Sequence, residues 1–238
     1  MNKFSFVVIT ITYLLLSTSS AWAQNKIMPQ PPQSCFKTKK YCGVKSVIPF
    51  SDGFKNVISV SLFATVNVNK YPVLEDLVDR VTNFDLWPTY TKKSKQIKYA
   101  KSMELPVTYD EDGTEILVHY ADYKISGPGR GIFKIKTHIR EVANYKRVER
   151  FDGAEISYLF ENDMKKTHRI PGEDDLKGAE GIKYKKGQIH IGYNSDKTKY
   201  ILSMKVNSVP KSNFAPETGA KYTELALLDL LKGLLNVK

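Results

Sequence analysis

Residues 217–236 read ETGAKYTELALLDLLKGLLN, and this stretch decides the fold class that we predict. Its leucines and alanines form the wide apolar face of one long α-helix. Asp229 and Lys232 interrupt the run, which is too short and too charged to cross a bilayer. A helix of this kind must bury its apolar face against another layer of the same domain.

The layer that we predict against this helix is an antiparallel sheet. From Asn56 to Asn69 apolar and polar residues alternate, which predicts one long, half-buried strand. Further along the chain, strand-like runs are joined by turn sequences such as Asp112-Gly113 and Asp152-Gly153. These runs cover residues 95–101, 115–125, 131–140, 145–151, 155–161, 187–193 and 199–209.

Two short helices are predicted between the first strand and the sheet that follows. Leu74, Leu77, Val78 and Val81 recur at helical spacing just after Pro72, which suits the first turn of a helix. The sequence NFDLWPTY, residues 83–90, forms a second short helix or turn. Residues 162–186 are polar and contain prolines and glycines, so we predict that they form a surface excursion.

This order of elements resembles the START-like superfamily, also called the SRPBCC or polyketide-cyclase-like group, over residues 57–235. The sequence NFDLWPTY at 83–90 looks like the helix-turn segment of that family. The resemblance implies an α+β helix-grip fold, in which a curved antiparallel sheet wraps around the long C-terminal helix and two short helices follow the first strand. It also implies a cavity between sheet and helix that holds an apolar molecule.

The candidate pocket residues come from the apolar faces of these elements. On the strand around Ile139, for example, apolar residues alternate with Lys136, His138 and Arg140, which should face water. A solid core would use the same side chains, and Trp87 either packs beneath the short helices or gates the cavity. The candidates are Trp87, Tyr120, Phe133, Ile135, Tyr158, Phe160, Leu202, Met204, Leu228 and Leu231.

Three functions are compatible with this pattern. The first is a binding module for a hydrophobic or amphipathic molecule, such as a lipid. The second is a cyclase- or aromatase-type enzyme, for which His119 and Asp122 are the candidate acid or base groups; their spacing allows at most one of them to face inward. The third is an envelope interaction protein with a closed core. A half-exposed position on a strand is the simpler expectation for His119.

No metal or cofactor site is predicted. The four histidines lie on separate segments without the spacing of metal ligands. No nucleophile motif occurs, and residues 126–131, SGPGRG, are a hairpin turn because no Lys-Ser or Lys-Thr pair follows them. We therefore expect no catalytic residue that the sequence alone can name.

The N-terminus has the features of an export signal. Lys3 precedes an apolar stretch over residues 4–16, and small residues lead to an A-x-A site at 21–23. This predicts a cleaved signal peptide over residues 1–23, an extended leader over 24–45 and a single START-like domain over 46–238. The mature protein is expected to be periplasmic or secreted.

Export also bears on the two cysteines, Cys35 and Cys42. Disulfides form and persist in oxidising compartments, so we predict that these residues pair and close a small loop. A zinc site is disfavoured because no histidine is near, and the spacing is not the C-x-x-C of redox enzymes.

The chain is basic, with a formal net charge of +11. Its lysines are spread along the sequence, which is typical of a plain solvated surface and also favours transient contact with an anionic membrane surface. Nucleic acid is not an expected partner of an exported protein. The expected partner is an apolar small molecule or lipid, and the oligomeric state stays open.

Overall fold

The computed structural model describes residues 31, 35, 40–128, 134–150, 152–211 and 215–236. The predicted signal peptide, residues 1–23, lies outside these residues, and so does Phe133. Every strand and helix named below belongs to the unit that follows residue 32. No helix in the described part of the chain is long and apolar enough to cross a membrane.

Within the described ranges, one antiparallel sheet contains eight strands in the order β1-β2-β10-β9-β6-β5-β4-β3. A separate two-stranded ribbon pairs β7 with β8. The strand bounds are Tyr41–Ser51 (β1), Phe54–Asn67 (β2), Ile97–Tyr109 (β3), Glu115–Pro128 (β4), Lys134–Glu149 (β5), Glu155–Asn162 (β6), Thr167–His168 (β7), Leu176–Lys177 (β8), Ile182–Tyr193 (β9) and Lys199–Pro210 (β10).

Three α-helices accompany the sheet in the described part of the chain: α1 (Leu74–Thr82), α2 (Trp87–Thr91) and α3 (Pro216–Asn236). The apolar face of α1 is buried in the main core, as its spacing predicts. The α+β class, the two short helices and the long C-terminal helix are confirmed. The short helices follow the second strand, however, because β1 precedes the strand that the alternation marks.

The sheet must be curved, because α3 contacts strands at both of its edges. The helix packs against β1 and β2 at one edge and against β4 and β3 at the other. Eight flat strands would span about 34 Å, whereas a helix with its side chains is only about 10–12 Å wide. One helix reaches both edges only if the sheet wraps around it, which is the grip that the resemblance implies.

The inner face of the sheet and α3 share the main core. Val60, Leu62 and Ala64 of β2 are buried there together with Leu231 and Leu234 of α3. Their even spacing on β2 is the period of two that the sequence shows. The close fit at the end of α3 depends on Gly233, where a Cβ atom would lie 2.3 Å from the carbonyl oxygen of Tyr90.

Three strand predictions need correction. Strand β1 begins at Tyr41, inside the predicted leader 24–45; much of it is exposed, so it has no alternating pattern. Strand β3 continues to Tyr109 past two irregularities in its pairing with β4. The predicted strands 131–140 and 145–151 are one strand, β5, whose alternation passes through Glu141 and Asn144.

The predicted excursion after β6 crosses the outer face of the sheet. Ile170 and Leu176 are buried there against Tyr120, in a second apolar cluster. Glu173 accepts hydrogen bonds from the Tyr120 hydroxyl and from Arg140 Nη2, the latter at 3.0 Å. Burial and the Glu173 carboxylate raise the pKa of Tyr120 to about 12.

The predicted disulfide is present. Cys35 and Cys42 are bonded, with their Cα atoms 5.5 Å apart. Cys42 lies in β1, opposite Phe63 of β2. The bond therefore ties the chain before the sheet to an edge strand of the sheet.

Candidate functional site

A cavity of ≈ 80 Å³ lies between the inner face of the sheet and the N-terminal half of α3. The sequence resemblance implies a cavity at this place. Most of the wall is apolar, and the polar exceptions include Lys185 and three tyrosines. The strands contribute Ile58, Ile97, Tyr99, Tyr123, Ile125, Thr137, Ile139, Ile182, Lys185 and Val206 to the lining.

Small residues on α3 leave this space open. Gly219, Thr223 and Ala226 are spaced by four and three residues, so they lie on one face of the helix, and all three line the cavity. Further along this face, the C-terminal half of α3 carries Leu230 and Leu234, which are buried in the main core, and Gly233, which packs closely against the backbone of Tyr90. The cavity thus results from a change of side-chain size along one helix face.

Tyr222 and Gly127 close one side of the cavity. A Cβ atom on Gly127 of β4 would lie 2.6 Å from three carbons of the Tyr222 ring. The ring therefore lies over the strand where no side chain projects, and both residues line the cavity. A larger residue at position 127 would push α3 away from the sheet.

The predicted pocket residues lie mainly elsewhere in the core. Those on the inner face beyond the cavity pack tightly with the second half of α3. Their inward orientation follows from strand and helix periodicity, but periodicity does not say where along α3 the core is open. The predicted residues that belong to the main core and do not line the cavity are Trp87, Tyr158, Phe160, Leu202, Met204, Leu228 and Leu231.

Three further candidates have different outcomes. Tyr120 points to the outer face of the sheet, because its neighbours His119 and Ala121 take the inner positions. Phe133 lies outside the described residues, and for Ile135 only the strand position in β5 is described. Tyr120 is therefore not a pocket residue in this fold.

Trp87 is a packing residue beneath the short helices. Its indole nitrogen donates a hydrogen bond to the carbonyl oxygen of Val81, at 3.1 Å. Its ring meets those of Phe84 and Tyr99 edge to face, with centroids 5.3 Å and 5.2 Å away. Of the two roles considered for Trp87, its contacts support packing.

A charged pair stands on the inner face beside the cavity. Lys185 of β9, which lines the cavity, donates a hydrogen bond to Glu141 of β5. The Glu141 carboxylate is 2% exposed and also accepts hydrogen bonds from the Tyr123 hydroxyl at 2.9 Å and from Asn162 at 2.5 Å. Each carboxylate oxygen therefore has a partner, which a buried charge requires.

This polar group has consequences for its neighbours. Burial first, and then repulsion by the Glu141 carboxylate, raise the pKa of Tyr123 well above its ordinary value. Tyr123 therefore stays protonated and donates its hydroxyl hydrogen to Glu141. Burial and the nearby Tyr145 raise the pKa of Tyr99, whose ring stacks on Tyr123 at 4.8 Å, in the same direction.

The sequence contains a signal for this pair in the alternation of two strands. Alternation from Ile191 and Ile189 back through Gly187 places Lys185 on the inner face of β9. The same counting from Ile139 places Glu141 on the inner face of β5. Opposite charges on the inward-facing sides of two strands of one sheet predict a buried ion pair.

His119 faces inward but does not reach the cavity. It is fully buried, with its ring stacked on Phe84 at 4.1 Å and its Nε2 atom 2.8 Å from the Ser102 hydroxyl. Burial, with a smaller contribution from the positive charge of Lys185, lowers the pKa of His119 well below its ordinary value. The expectation of a half-exposed histidine is wrong.

The other acid or base candidate, Asp122, lies on the opposite face. Its carboxylate is 2.7 Å from Nε2 of His138. As the spacing predicts, only one of His119 and Asp122 points inward. Neither lines the cavity.

Together, a curved antiparallel sheet, a gripped C-terminal helix and a mainly apolar cavity between them define a helix-grip protein. Comparison of the sequence finds no matching family model and no matching curated protein. The likenesses found are to solved structures, and they concern the fold.

Three solved structures illustrate this likeness. A START superfamily protein from Mycobacterium smegmatis has a TM-score of 0.43 and 11% identity, over 74% of this chain and 93% of that one. The human StarD13 (DLC2) lipid transfer and protein localization domain has a TM-score of 0.46 and 11% identity, over 82% and 88%. Human STARD10 has a TM-score of 0.45 and 9% identity, over 80% and 73%.

The buried pair leads to a test by mutation. We expect Lys185→Met to destabilise the protein by about 3 kcal/mol, because it leaves the Glu141 charge buried without its partner. Adding Glu141→Gln removes that charge and should recover about 1 kcal/mol or more. Urea unfolding of the wild type, both single variants and the double variant measures this coupling. A double variant less stable than Lys185→Met would contradict it.

The lowered pKa of His119 predicts a pH dependence of stability. The unfolded chain binds a proton at this imidazole below about pH 6.5, whereas the folded protein does not. The stabilisation is therefore complete above that pH and decreases as the pH falls. Between about pH 7.5 and about pH 5, His119 should account for a loss of up to about 2 kcal/mol.

Urea unfolding at both pH values tests this prediction, with His119→Phe as the comparison. Phenylalanine keeps a ring against Phe84 but cannot take up a proton. The variant should lose less than the wild type over the same interval, by up to about 2 kcal/mol. Equal losses in the two proteins would show that His119 does not cause the effect.

Proposed function

We propose that this protein binds a hydrophobic or amphipathic molecule, such as a lipid, between the sheet and α3. The observation that carries the proposal is the cavity itself, which is enclosed by the sheet and the small-residue face of α3. Concave, mainly apolar sites with a few polar groups are typical of small-molecule binding.

The chemistry of the wall indicates the class of ligand. Isoleucines and valines from β2, β3, β4, β5 and β10 provide contacts for an apolar body. Lys185 and the Tyr123 hydroxyl, which lie 3.4 Å apart, are among the polar groups that a hydroxyl or carboxylate on the ligand could reach. The best fit is therefore an apolar molecule with one polar end.

The size of the cavity implies that binding changes the structure. A space of ≈ 80 Å³ holds only a small part of a lipid, since pockets for drug-sized ligands measure roughly 300–1,000 Å³. We therefore propose that the ligand displaces Tyr222 and the first turns of α3 from β4. Burial of an acyl chain contributes roughly 0.8 kcal/mol per methylene, which offsets the cost of this opening.

The alternative functions have less support. The enzyme hypothesis relied on His119 and Asp122, and neither lines the cavity. An interaction protein with a closed core would leave the cavity without a role. Our proposal therefore includes no catalytic step.

We also propose that the protein acts outside the cytoplasm. The Cys35–Cys42 disulfide supports this location, because disulfides persist in oxidising compartments. The proposed signal peptide, residues 1–23, and the choice between periplasm and secretion belong to this proposal.

Filling the cavity should prevent binding. Ala226→Leu adds three carbon atoms where Ala226 lines the cavity, so we expect the affinity for dansyl-labelled undecanoic acid to fall by about tenfold or more. Dansyl fluorescence during titration with protein measures the affinity. Unfolding by urea checks that Ala226→Leu remains folded.

Leu228→Met is the matched control. Leu228 lies on the same helix and does not line the cavity, and methionine has nearly the same side-chain volume as leucine. This variant should bind the probe like the wild type. If the wild type does not bind the probe, or if Ala226→Leu binds it equally well, the proposed site is wrong.

A further inference from the structure

Three exposed lysines stand together on the outer face of β3, β4 and β5. Lys98 and Lys124 are directly opposite each other in the pairing of β3 with β4. Lys124 is opposite His138 of β5, and Lys136 lies two residues from His138 on the same face. We call Lys98, Lys124 and Lys136 the basic strip.

The positive charge of the basic strip is not neutralised by neighbouring acids. In the described part of the chain, none of its three lysines has an ion pair within 4.0 Å. Two acids on this face have other partners, since Asp122 pairs with His138, and Glu173 pairs with Lys101 and Arg140. Asp174 lies beside His138 and has no ion pair within 4.0 Å with a lysine of the strip. The strip therefore presents three positive charges to solvent that no described acid contacts.

Folding does not explain this arrangement. Like charges directly opposite each other on adjacent strands lower the stability of a sheet. Lysines on an edge strand prevent unwanted strand pairing, and β3 is an edge strand, which could account for Lys98. Strands β4 and β5 are internal, so this explanation does not extend to Lys124 and Lys136.

The basic strip lies directly behind the cavity wall. Ile97, Ile125 and Thr137 line the cavity, and each is the sequence neighbour of a lysine of the strip. Because side chains alternate between the two faces of a strand, the same short segments carry positive charge outside and ligand contacts inside. An anionic surface that binds these lysines therefore lies close to the cavity.

We infer that the basic strip docks this protein on an anionic lipid surface. Lysines attract anionic headgroups, and each one near such a surface increases the affinity about fivefold. The choice of a bilayer over another polyanion rests on the proposed function, since a protein that binds an apolar molecule must exchange it with a lipid phase. The charge and position of the strip do not depend on that function.

Vesicle sedimentation with the purified protein tests this inference. The vesicles contain phosphatidylcholine alone, or phosphatidylcholine with roughly 30% phosphatidylglycerol, in about 50 mM NaCl. The test variant replaces the three lysines of the basic strip by glutamine. The control variant makes the same change at Lys55, Lys199 and Lys232, which are exposed and lie elsewhere on the molecule.

The wild type should bind only the vesicles with phosphatidylglycerol and should dissociate in about 500 mM NaCl. The strip variant should bind about a hundredfold more weakly, and the control variant should bind nearly as well as the wild type. Because the strip variant relieves repulsion between lysines, it should be at least as stable to urea as the wild type.

Three results would overturn the inference. The first is equal loss of vesicle binding in the strip and control variants, which indicates a general effect of net charge. The second is the absence of wild-type binding to the anionic vesicles. The third is binding to heparin through the strip without binding to vesicles, which indicates another polyanion.

Failure of this inference is distinguishable from failure of the cavity proposal. The Ala226→Leu variant keeps the basic strip, so it should still sediment with anionic vesicles even where its cavity is filled. The strip variant keeps the cavity, so it should still bind dansyl-labelled undecanoic acid in the absence of vesicles.

Discussion

The apolar face of α3 is the element on which the rest of the structure depends. A helix with this much leucine must be covered along its length of about 31 Å, and the curved sheet provides the cover by contacting the helix from both edges. The two halves of α3 are covered differently. Close contact at Gly233 seals the C-terminal half, whereas the small face of Gly219, Thr223 and Ala226 leaves the cavity.

The inner face of the sheet also carries polar groups, and they have separate roles. His119 is neutral, stacked on Phe84 and remote from the cavity, so it belongs to the packing beneath the short helices. Lys185 and Glu141 form a buried ion pair beside the cavity. Replacement of such a pair by apolar residues often leaves stability unchanged, so stability alone does not require it. Its position supports a role in orienting the polar end of a ligand.

Much of the fold could be predicted from the sequence, and much less of the site. Alternation on β2 and the leucines of α3 indicate which faces are buried, and the resemblance to START-like proteins implies the helix-grip arrangement of these elements. The position of the cavity depends on side-chain size along α3. Periodicity predicts that a residue such as Leu202 faces inward, but it does not show whether that residue meets the cavity or the packed part of the core. Strand β1 is largely exposed, so it has no alternating pattern to detect. The position of Tyr120 depends on which residues of β4 face inward, and the sequence of β4 does not show this.

The central claim is that the space between sheet and α3 holds an apolar ligand. Native mass spectrometry tests this claim most directly. The protein is purified from the cells that make it and its mass is measured, and any bound molecule is then extracted with organic solvent and identified. We predict a bound species in a one-to-one ratio, recovered in the extract as an apolar or amphipathic molecule. A mass of protein alone, unchanged after incubation with a lipid extract of the same cells, would contradict the claim.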